Sequence, residues 1–396
     1  MISEKILSMM ESSSFIRKMF ETGAKLKLEY GANNVFDFSL GNPAMDPPVK
    51  FTETLLEKAA DIHMHRYMPN AGYLDVRKKV ADYISSEQKT KVNENNIVMT
   101  SGAGGALNTV LKTLINSGDK IIASIPCFME YKFYCDNHGG ELQLVNGKAD
   151  FNLDIETIEQ AITKETAAVI INSPNNPSGR IYPQETINSL ASMLEAKSRE
   201  IGRTVYLISD EPYRKIVYDG VTVPSIMDAY KNSIICTSYS KDLSIPGERI
   251  GWLTVNPEAE DYKNLINGII LCNRILGYVN APALMQRTIA ELQGVSVDID
   301  LYKKKRDYLS QKLARFGYQF RIPEGTFYFL VEAPGGDDMK VVDLLKDERI
   351  LVVPGRGFGL PGYFRIAYCV EDSVIAGSMA GFKRIAEKLG LKQDDK

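Results

Sequence analysis

Five short apolar runs between residues 96 and 236 constrain the fold of this chain more than any other feature of its sequence. They are Asn96–Met99, Lys120–Ser124, Ala168–Ile171, Val205–Ile208 and Ser233–Cys236. Their apolar residues are continuous rather than alternating, which is typical of strands buried on both faces of a sheet, and helical segments separate several of them. This alternation predicts an α/β fold with a mainly parallel sheet covered by crossover helices. A sixth run at 250–255 is a candidate for an antiparallel strand.

The flanking parts of the chain predict a second, smaller α+β domain. The patterns are helical at 1–30, 284–316 and 338–347 and at the C-terminus, and strand-like at 326–330 and 363–367. Gly294 and Gly317 are turn signals within and after the stretch 284–316. A chain of 396 residues is long enough for about two domains. We therefore expect a large domain over residues 46–285 and a small domain made of residues 1–45 and 286–396. The loop from Gly41 to Pro48 marks the first boundary.

Charge and cysteine content argue against several classes of protein. The formal net charge of -3 gives no basic surplus for a nucleic-acid partner. The five cysteines are an odd number without a CxxC pair, which argues against a disulfide framework or a zinc ribbon and suits a reducing compartment. The sequence shows no secretion signal and no apolar run near the roughly 18 residues that cross a bilayer, so we expect no membrane association and a cytoplasmic location. His63 and His65 have only Asp61 nearby as a further ligand, and no metal site is predicted.

A lysine with an unusual set of neighbours follows the last of the five runs. Lys241 comes directly after Ser240 and three residues after Ser238, and Arg249 follows eight residues later. On its own, such a lysine is most simply an exposed loop residue. Two hydroxyls and a guanidinium can bind a phosphate, however, because the planar arginine head forms two parallel hydrogen bonds. A partly buried lysine near other cations also has a lowered pKa, and its neutral amine attacks an aldehyde.

Three further polar or small-residue segments follow predicted strands. They are Thr100–Leu107, Asn172–Gly179 and Ser209–Tyr213. Taken alone, each has a simpler interpretation: a helix start with weak GxG spacing, a turn, and a helix cap. A nicotinamide site would need an acidic residue about 20 positions after the GxG, where Ile121 and Ile122 stand instead. Because ligands of such sheets bind at the carboxyl ends of the strands, we expect these segments and Lys241 to share one site.

Taken in order, these segments resemble those of the class I and II aminotransferases, which are pyridoxal-phosphate (PLP) enzymes of fold type I. The resemblance runs from Gly41 to about Cys369. It rests on the SxSK motif with its later arginine, the DEPY motif at 210–213 and the NNPSG motif at 175–179. It implies a large PLP-binding domain, pyridoxal 5'-phosphate as the cofactor, and a ping-pong exchange of an amino group between an L-amino acid and a 2-oxo acid.

The resemblance assigns catalytic roles to three residues. Lys241 would hold the cofactor as a Schiff base and later move a proton between the substrate α-carbon and the cofactor. Asp210 would pair with the pyridine nitrogen and keep it protonated, so that the ring accepts electrons. Tyr213, together with Asn176, would hydrogen-bond the 3-hydroxyl oxygen of the ring.

The remaining cofactor contacts implied by the resemblance surround the phosphate and the face of the ring. The phosphate would be held by the side chains of Ser238, Ser240 and Arg249 and by the backbone N–H groups of Ala103 and Gly104. Phe128 would stack on the ring. Many relatives have Tyr or Trp there, so a hydrogen bond is lost in this chain while stacking survives. Tyr67 would reach the phosphate of the neighbouring subunit, which implies a homodimer with shared sites.

Substrate binding is likewise implied by the resemblance. Arg365 matches the arginine that binds the substrate α-carboxylate in a bidentate pair. Gly41 would line the same carboxylate through its backbone, and Asn176 would lie beside it. Arg274 stands near the position at which some relatives carry an arginine that selects dicarboxylic substrates, but the alignment there is open. The pair Met9–Met10 is expected to pack within the protein rather than contact the cofactor.

Two alternative functions remain open from the sequence. A carbon–sulfur β-lyase of the same fold would use the same lysine and cofactor, because the outcome of the reaction depends on small differences in the pocket. A non-catalytic transcriptional regulator built on this fold would carry an N-terminal DNA-binding domain, and the roughly 40 residues before Gly41 leave no room for one. The sequence does not identify the amino-acid substrate.

Overall fold

The computed structural model describes residues 2–11 and 15–392, which form three β-sheets surrounded by helices. The helices are α1 (Glu4–Glu11), α2 (Phe15–Tyr30), α3 (Val49–Ala59), α4 (Leu74–Glu87), α5 (Gly102–Leu114), α6 (Glu130–Asp136), α7 (Ile155–Ala161), α8 (Gln184–Ile201), α9 (Ile226–Ala229), α10 (Tyr262–Ile275), α11 (Ala283–Ala290), α12 (Ile299–Arg315), α13 (Asp338–Asp347) and α14 (Asp372–Lys388). The strands are β1 (Phe36–Asp37), β2 (Ile97–Thr100), β3 (Lys120–Ile125), β4 (Glu141–Asn146), β5 (Thr166–Asn172), β6 (Tyr206–Asp210), β7 (Ser233–Ser238), β8 (Gly251–Val255), β9 (Tyr328–Glu332), β10 (Ile350–Leu351), β11 (Val353–Pro354) and β12 (Tyr363–Ala367).

The largest sheet has seven strands in the order β2-β8-β7-β6-β5-β3-β4. Neighbouring strands are parallel except at β8, which runs antiparallel to both β2 and β7. Each connection from β2 to β7 contains one of the helices α5 to α9. The predicted α/β fold with a mainly parallel sheet is therefore confirmed, and so is the antiparallel strand predicted near 250–255.

Strand β5 shows why a continuous apolar run predicts such a sheet. All seven of its residues are buried. Ala168 and Ile170 belong to one apolar core together with α5, whereas Val169 and Ile171 belong to a second core together with α8. Each large aliphatic side chain buried in this way contributes about 1.5–3 kcal/mol. Both faces of the strand are thus covered by helices.

The edge strand β4 was not predicted from the sequence. It pairs in parallel with β3, and each of its residues is exposed or only partly buried. Leu142 packs against the core that contains α5 and α6, while Leu144 remains 39% exposed. An edge strand covered so incompletely needs no continuous apolar run, so its sequence pattern is weak.

The register of the central strands brings polar side chains to one edge of the large sheet. Asn172 at the end of β5 pairs with Asp210 at the end of β6, and Asp210 pairs in turn with β7. Ser238 ends β7, and Lys241 follows it in a turn. Three of the polar segments that follow predicted strands therefore meet at the carboxyl ends of neighbouring strands, as expected for a common site.

The other two sheets lie mainly in the C-terminal part of the chain. Strand β12 is the centre of an antiparallel sheet between β11 and β9, and it places Arg365 opposite Leu330 and Val353. Strand β1 pairs in parallel with β10, which ties the N-terminal segment to this part of the molecule. Helices α12, α13 and α14 surround these sheets and share an apolar core that includes Phe329 and Phe364. This is the α+β arrangement predicted for this region.

Two helical predictions differ from the structure in their extent. The stretch at 284–316 forms two helices, α11 and α12, with Gly294 in the turn between them. Asp298 starts α12 by accepting a hydrogen bond from the N–H of Asp300 at 3.0 Å, an ordinary helix cap. The helix predicted over 1–30 comprises α1 and α2, and residues 12–14 lie outside the described part. Within residues 2–11 and 15–392, no helix is both long and apolar enough to cross a lipid bilayer.

Candidate active site

Twelve of the predicted site residues line a single cavity of about 910 Å³ at the carboxyl ends of β5, β6 and β7. They are Gly41, Ala103, Gly104, Phe128, Asn176, Asp210, Tyr213, Ser238, Ser240, Lys241, Arg249 and Arg365. The cavity also receives the loop before α3, the start of α5 and strand β12. The fold therefore brings together segments from distant parts of the chain.

The amine of Lys241 faces this cavity. Its Nζ donates a hydrogen bond to the carbonyl oxygen of Gly41 at 2.6 Å. Burial lowers the pKa of Lys241 to about 8, and the cations of Arg365 and Arg249 lower it too, while Cys369 opposes them. Much of the amine is therefore neutral near pH 8, and the neutral form is the one that attacks an aldehyde.

The partner of this amine, Gly41, occupies a position with no room for a side chain. A Cβ atom at Gly41 would overlap the hydroxyl of Tyr328. Any other residue would push the loop away from Tyr328 and would move the carbonyl oxygen that holds Lys241. A close approach of the backbone to the site is the physical reason for glycine here.

Asp210 is buried at the end of β6. Its Oδ2 accepts a hydrogen bond from the hydroxyl of Tyr131 at 2.6 Å, whereas its Oδ1 is buried without a hydrogen-bond partner in the described residues. Burial raises the pKa of Asp210 to about 7; the hydrogen bond from Tyr131 lowers it, and the charge of Glu211 raises it. A buried carboxylate oxygen without a partner is costly, so this atom is suited to a ligand that carries a hydrogen-bond donor.

Arg365 is a buried cation, only 2% exposed, with no carboxylate partner in the described residues. Its Nη1 donates to Oδ1 of Asn176 at 3.0 Å and its Nη2 to the carbonyl oxygen of Ser39 at 2.6 Å, while Nε has no partner. The guanidinium lies 4.4 Å from the ring centre of Tyr328 and 4.7 Å from that of Phe358. Burial lowers its pKa, but arginine remains charged. Such a cation is suited to bind an anionic ligand.

The start of α5 and the side chain of Arg249 form an anion-binding region. Ser101 precedes the helix without capping it through its side chain, so the first N–H groups of α5 are available to a ligand. Gly102 has a φ of 68°, and a Cβ atom there would lie 3.0 Å from Nη2 of Arg249. Glycine therefore lets the guanidinium approach the helix start. Ser238 and Ser240 line the same cavity and add two hydroxyls.

These groups fit the cofactor implied by the resemblance. The cavity presents an amine of lowered pKa, a carboxylate oxygen without a partner, an aromatic side chain at Phe128 and an anion-binding helix start. PLP carries the matching features: an aldehyde, a ring nitrogen that can be protonated, a flat ring and a phosphate. The donor set of the cavity thus agrees with the chemistry of this cofactor.

Three tyrosines of the site were missed from the sequence: Tyr131, Tyr328 and Tyr134, the last of which lines the cavity. Tyr131 contacts Asp210 and stands in α6 three residues after Phe128, which was itself predicted to contact the cofactor, so its place in the sequence was a usable signal. The hydroxyl of Tyr328 lies 2.9 Å from the hydroxyl of Tyr213, and burial raises the pKa of Tyr328 to about 12. Tyr328 is therefore neutral at ordinary pH. Nothing in the sequence of β9 distinguishes it from a core residue, because the contact depends on the packing of distant elements.

Helix α1 lies against the mouth of the cavity. Ile6, Met9 and Met10 all line it. Instead of only packing within the protein, Met9 and Met10 therefore form part of the cavity wall, which differs from the sequence-based expectation. Lys5 at the start of α1 forms an ion pair with Asp136 at the end of α6, with 2.8 Å between Nζ and Oδ2.

Several residues considered in the sequence lie outside this cavity. Tyr67 is 91% exposed, and its contact with a neighbouring subunit remains a prediction. Arg274 is exposed on α10 and does not line the cavity of its own protomer. His63 and His65 are exposed, and no group of three or more His, Cys, Asp or Glu residues in the described part is placed to hold a metal ion.

Comparisons with known proteins agree with one another. The family model described as aminotransferase class I and II matches residues 33–376. The chain is 29% identical to a probable aspartate aminotransferase of Methanocaldococcus jannaschii, over 90% of this chain and 94% of that protein. An aspartate aminotransferase of Thermotoga maritima is 27% identical over 90% and 93%, respectively. Among solved structures, an amino transferase from Eubacterium rectale has a TM-score of 0.94 at 40% identity and covers 98% of this chain and 99% of its own.

Proposed function

Because the chain belongs to the aminotransferase class I and II family, whose members depend on pyridoxal 5'-phosphate, we propose that the cavity at the ends of β5, β6 and β7 is its active site. The chain is a PLP-dependent aminotransferase of fold type I, which exchanges an amino group between an L-amino acid and a 2-oxo acid. The names of its relatives support this reaction over carbon–sulfur elimination. The observation that carries the site assignment is that Lys241 and Asp210 line one cavity with ten other predicted residues.

Lys241 is the residue to which we assign covalent attachment of the cofactor. When bound, PLP supplies an aldehyde carbon that an amine can attack and a ring that takes up electrons from the substrate α-carbon. The lowered pKa of Lys241 makes its Nζ a nucleophile near neutral pH and lets the same atom carry a proton in the exchange. The hydrogen bond to Gly41 holds Nζ at the cavity wall.

Asp210 is assigned to the ring nitrogen. Its Oδ1 has no partner among the described residues, and Tyr131 fixes the other oxygen, so the carboxylate is oriented before a ligand arrives. A positive partner lowers the pKa of a buried carboxyl, which favours an ionised Asp210 beside a protonated nitrogen. Tyr213 and Asn176 are assigned to the ring hydroxyl, as the resemblance implies.

Arg365 is assigned to the substrate α-carboxylate. Its charge has no carboxylate partner in the described residues, and its N–H groups beyond those bonded to Asn176 and Ser39 remain available. The rings of Tyr328 and Phe358 restrict the guanidinium, which lowers the cost of ordering it when a substrate binds. Gly41 and Asn176 border the same place.

The phosphate is assigned to the region at the start of α5. Ser238, Ser240 and Arg249 offer two hydroxyls and a cation, and the backbone N–H groups of Ala103 and Gly104 belong to the first turn of the helix. Partial positive charge at a helix start favours an anion, and a guanidinium strengthens its binding. Phe128 is assigned to the face of the ring.

Tyr67 is assigned to the active site of a second subunit in a homodimer. Its exposure at the surface of one protomer supports this assignment, since a side chain that reaches a neighbour is exposed in the isolated chain. The large apolar side chains of Ile62 and Ile275 are also exposed. Asn273 of α10 donates a hydrogen bond to the carbonyl of Asn70 at 3.3 Å, which ties the Tyr67 loop to this helix. Exposed large apolar side chains on the Tyr67 segment and on α10 support an interface there.

The sequence predicts a large domain over residues 46–285 and a small one from 1–45 and 286–396, and we propose this division with its second boundary moved. The seven-stranded sheet with Lys241 belongs to the first, and the two small sheets belong mainly to the second. A boundary at 285 would cut through α11, which packs against α3 and α4 in one core. The turn after α11 around Gly294 is therefore the better place for the boundary.

The experiment for this function follows the half-reaction by the absorbance of the bound cofactor. The PLP-loaded enzyme is mixed with a panel of L-amino acids, and at least one of them is expected to convert the cofactor to its aminated form. Lys241→Ala should slow this conversion by several orders of magnitude, because it removes the amine that would hold the cofactor and carry the proton in the exchange. Lys231→Ala, which removes an exposed lysine before β7, is the matched control. A Lys241→Ala enzyme as fast as the control would contradict the assignment.

A further inference from the structure

We propose that the substrate side chain binds between α1 and α6 and that this subsite selects L-amino acids with apolar side chains. The apolar subsite is defined by Ile6, Met9 and Met10 of α1, Leu107 of α5 and Phe133 of α6, all of which line the active-site cavity. The inference rests on the proposed function, because the subsite belongs to the same cavity as Lys241.

The first argument is the unpaired apolar surface of α1. Ile6 is 44% exposed and Met10 57% exposed, although both line the cavity. Leu107 beneath them is almost completely buried. When a ligand removes apolar surface of the cavity wall from water, the free energy of the complex is lowered. An aliphatic or aromatic substrate side chain would have this effect.

The second argument is the distribution of positive charge. The cationic side chains that line the cavity are Lys241, Arg249 and Arg365, and no fourth one lines it within the described residues of the protomer. Lys241 is already assigned to the cofactor aldehyde, Arg249 to the phosphate and Arg365 to the substrate α-carboxylate. A second carboxylate on the substrate would therefore enter the apolar subsite without a counter-ion from the same protomer, which is unfavourable.

The third argument is a carboxyl group of the protein at the same place. Glu130, the first residue of α6, lines the cavity and is partly buried, and burial raises its pKa. No ion pair neutralises its charge within residues 2–11 and 15–392, and Tyr134 lies near it. A dicarboxylic substrate would meet this like charge, whereas an apolar side chain would not. Charge and apolar surface thus favour the same class of substrate.

One ion pair joins α1 to α6 near the N-terminal end of α1. The ion pair between Lys5 and Asp136 joins the start of α1 to the end of α6, so the two helices that form the subsite are connected directly. Both partners are partly exposed, so the pair adds little to stability, and it joins the two helices that line the apolar subsite. Met9 and Met10 bring flexible thioether side chains, which adapt to apolar ligands of different shapes.

The test compares donors in the half-reaction of the PLP-loaded enzyme. Leucine, methionine and phenylalanine are compared with aspartate and glutamate, and kcat/KM is expected to be at least about tenfold higher for the best apolar donor. If aspartate or glutamate reacts fastest, the apolar subsite is overturned while the aminotransferase function stands. If no donor converts the cofactor, the proposed function fails and the subsite falls with it.

A pair of variants on α1 tests the location of the subsite. Met10→Arg places a cation at the cavity, and it should raise the ratio of kcat/KM for aspartate over leucine by about tenfold or more. Leu7→Arg places the same side chain on the same helix, at a residue that is 45% exposed and does not line the cavity. Its ratio should stay at the wild-type value. Equal ratios in the two variants would overturn the proposal. The ratio of kcat/KM for the two donors does not depend on the fraction of folded enzyme, so partial unfolding of a variant does not affect it.

Discussion

At the scale of single residues, burial shifts two pKa values of the site in opposite directions. It lowers that of Lys241 to about 8 and raises that of Asp210 to about 7. An amine and a carboxyl that would ordinarily both be charged can therefore each change protonation near neutral pH. Since the pKa of Asp210 is raised in the folded protein, its contribution to the stability of the cofactor-free enzyme is present at low pH and is lost as the pH rises through about 7.

The hydrogen bond between Tyr131 and Asp210 makes a testable contribution to this balance. It lowers the pKa of Asp210, so Tyr131→Phe should raise that pKa further and leave less carboxylate to pair with the ring nitrogen. A hydrogen bond to a charged group is worth about 1.5–3 kcal/mol, so kcat/KM should fall roughly tenfold or more. The acid limb of its pH profile should move to higher pH.

The matched control for this variant is Tyr230→Phe. Tyr230 is also buried, and its hydroxyl donates to the carbonyl of Val205 at 2.8 Å, away from the cavity. The control should lose some stability without shifting the acid limb. An unchanged acid limb in Tyr131→Phe would show that Tyr131 does not act on Asp210.

Single residues also show how far sequence reasoning reaches. Lys241, Asp210 and Asn176 were found because each lies in a short motif directly after an apolar strand. Tyr328 and Met10 carry no such local signal, because their place in the cavity depends on how β9 and α1 pack against distant segments. Site residues that belong to a short sequence motif can be predicted from the sequence. Site residues that depend on contacts between distant segments are found only in the structure.

At the scale of elements, the parallel sheet is what positions the chemistry. Strands β5, β6 and β7 end in register, so the polar residues at their carboxyl ends lie along the same edge of the sheet. The buried strands were predictable because both of their faces require apolar residues. The edge strand β4 was not predicted, since a weakly buried strand leaves a weak pattern. The stretch 284–316 was predicted as one helical stretch, and the turn signal at Gly294 stands where α11 and α12 separate, although their ends were not predicted.

Helix α1 illustrates the same limit at the level of function. Its amphipathic pattern predicts a helix, but the pattern does not say which surface the apolar side lies against. In the structure that side borders the active-site cavity rather than a closed core. The selectivity of the enzyme is thus proposed to depend on an element whose place could not be deduced from its periodicity.

At the scale of the whole molecule, the account predicts active sites that two subunits share. If Tyr67 serves the neighbouring site, a hybrid dimer of one Lys241→Ala subunit and one Tyr67→Ala subunit contains one site with both defects and one intact site. Mixing the two weakly active variants under conditions that exchange subunits should therefore restore activity. Activity no greater than the sum of the two separate variants would contradict a shared site.

The central claim of the account is that the amine of Lys241 carries the cofactor in this cavity. Borohydride reduction of the PLP-loaded enzyme, followed by proteolysis and mass spectrometry, locates the attachment directly, because reduction fixes the bond between cofactor and lysine. We expect the modified peptide to contain Lys241, and we expect Lys231→Ala to give the same result. A modification confined to any other lysine, with Lys241 recovered unmodified, would contradict it.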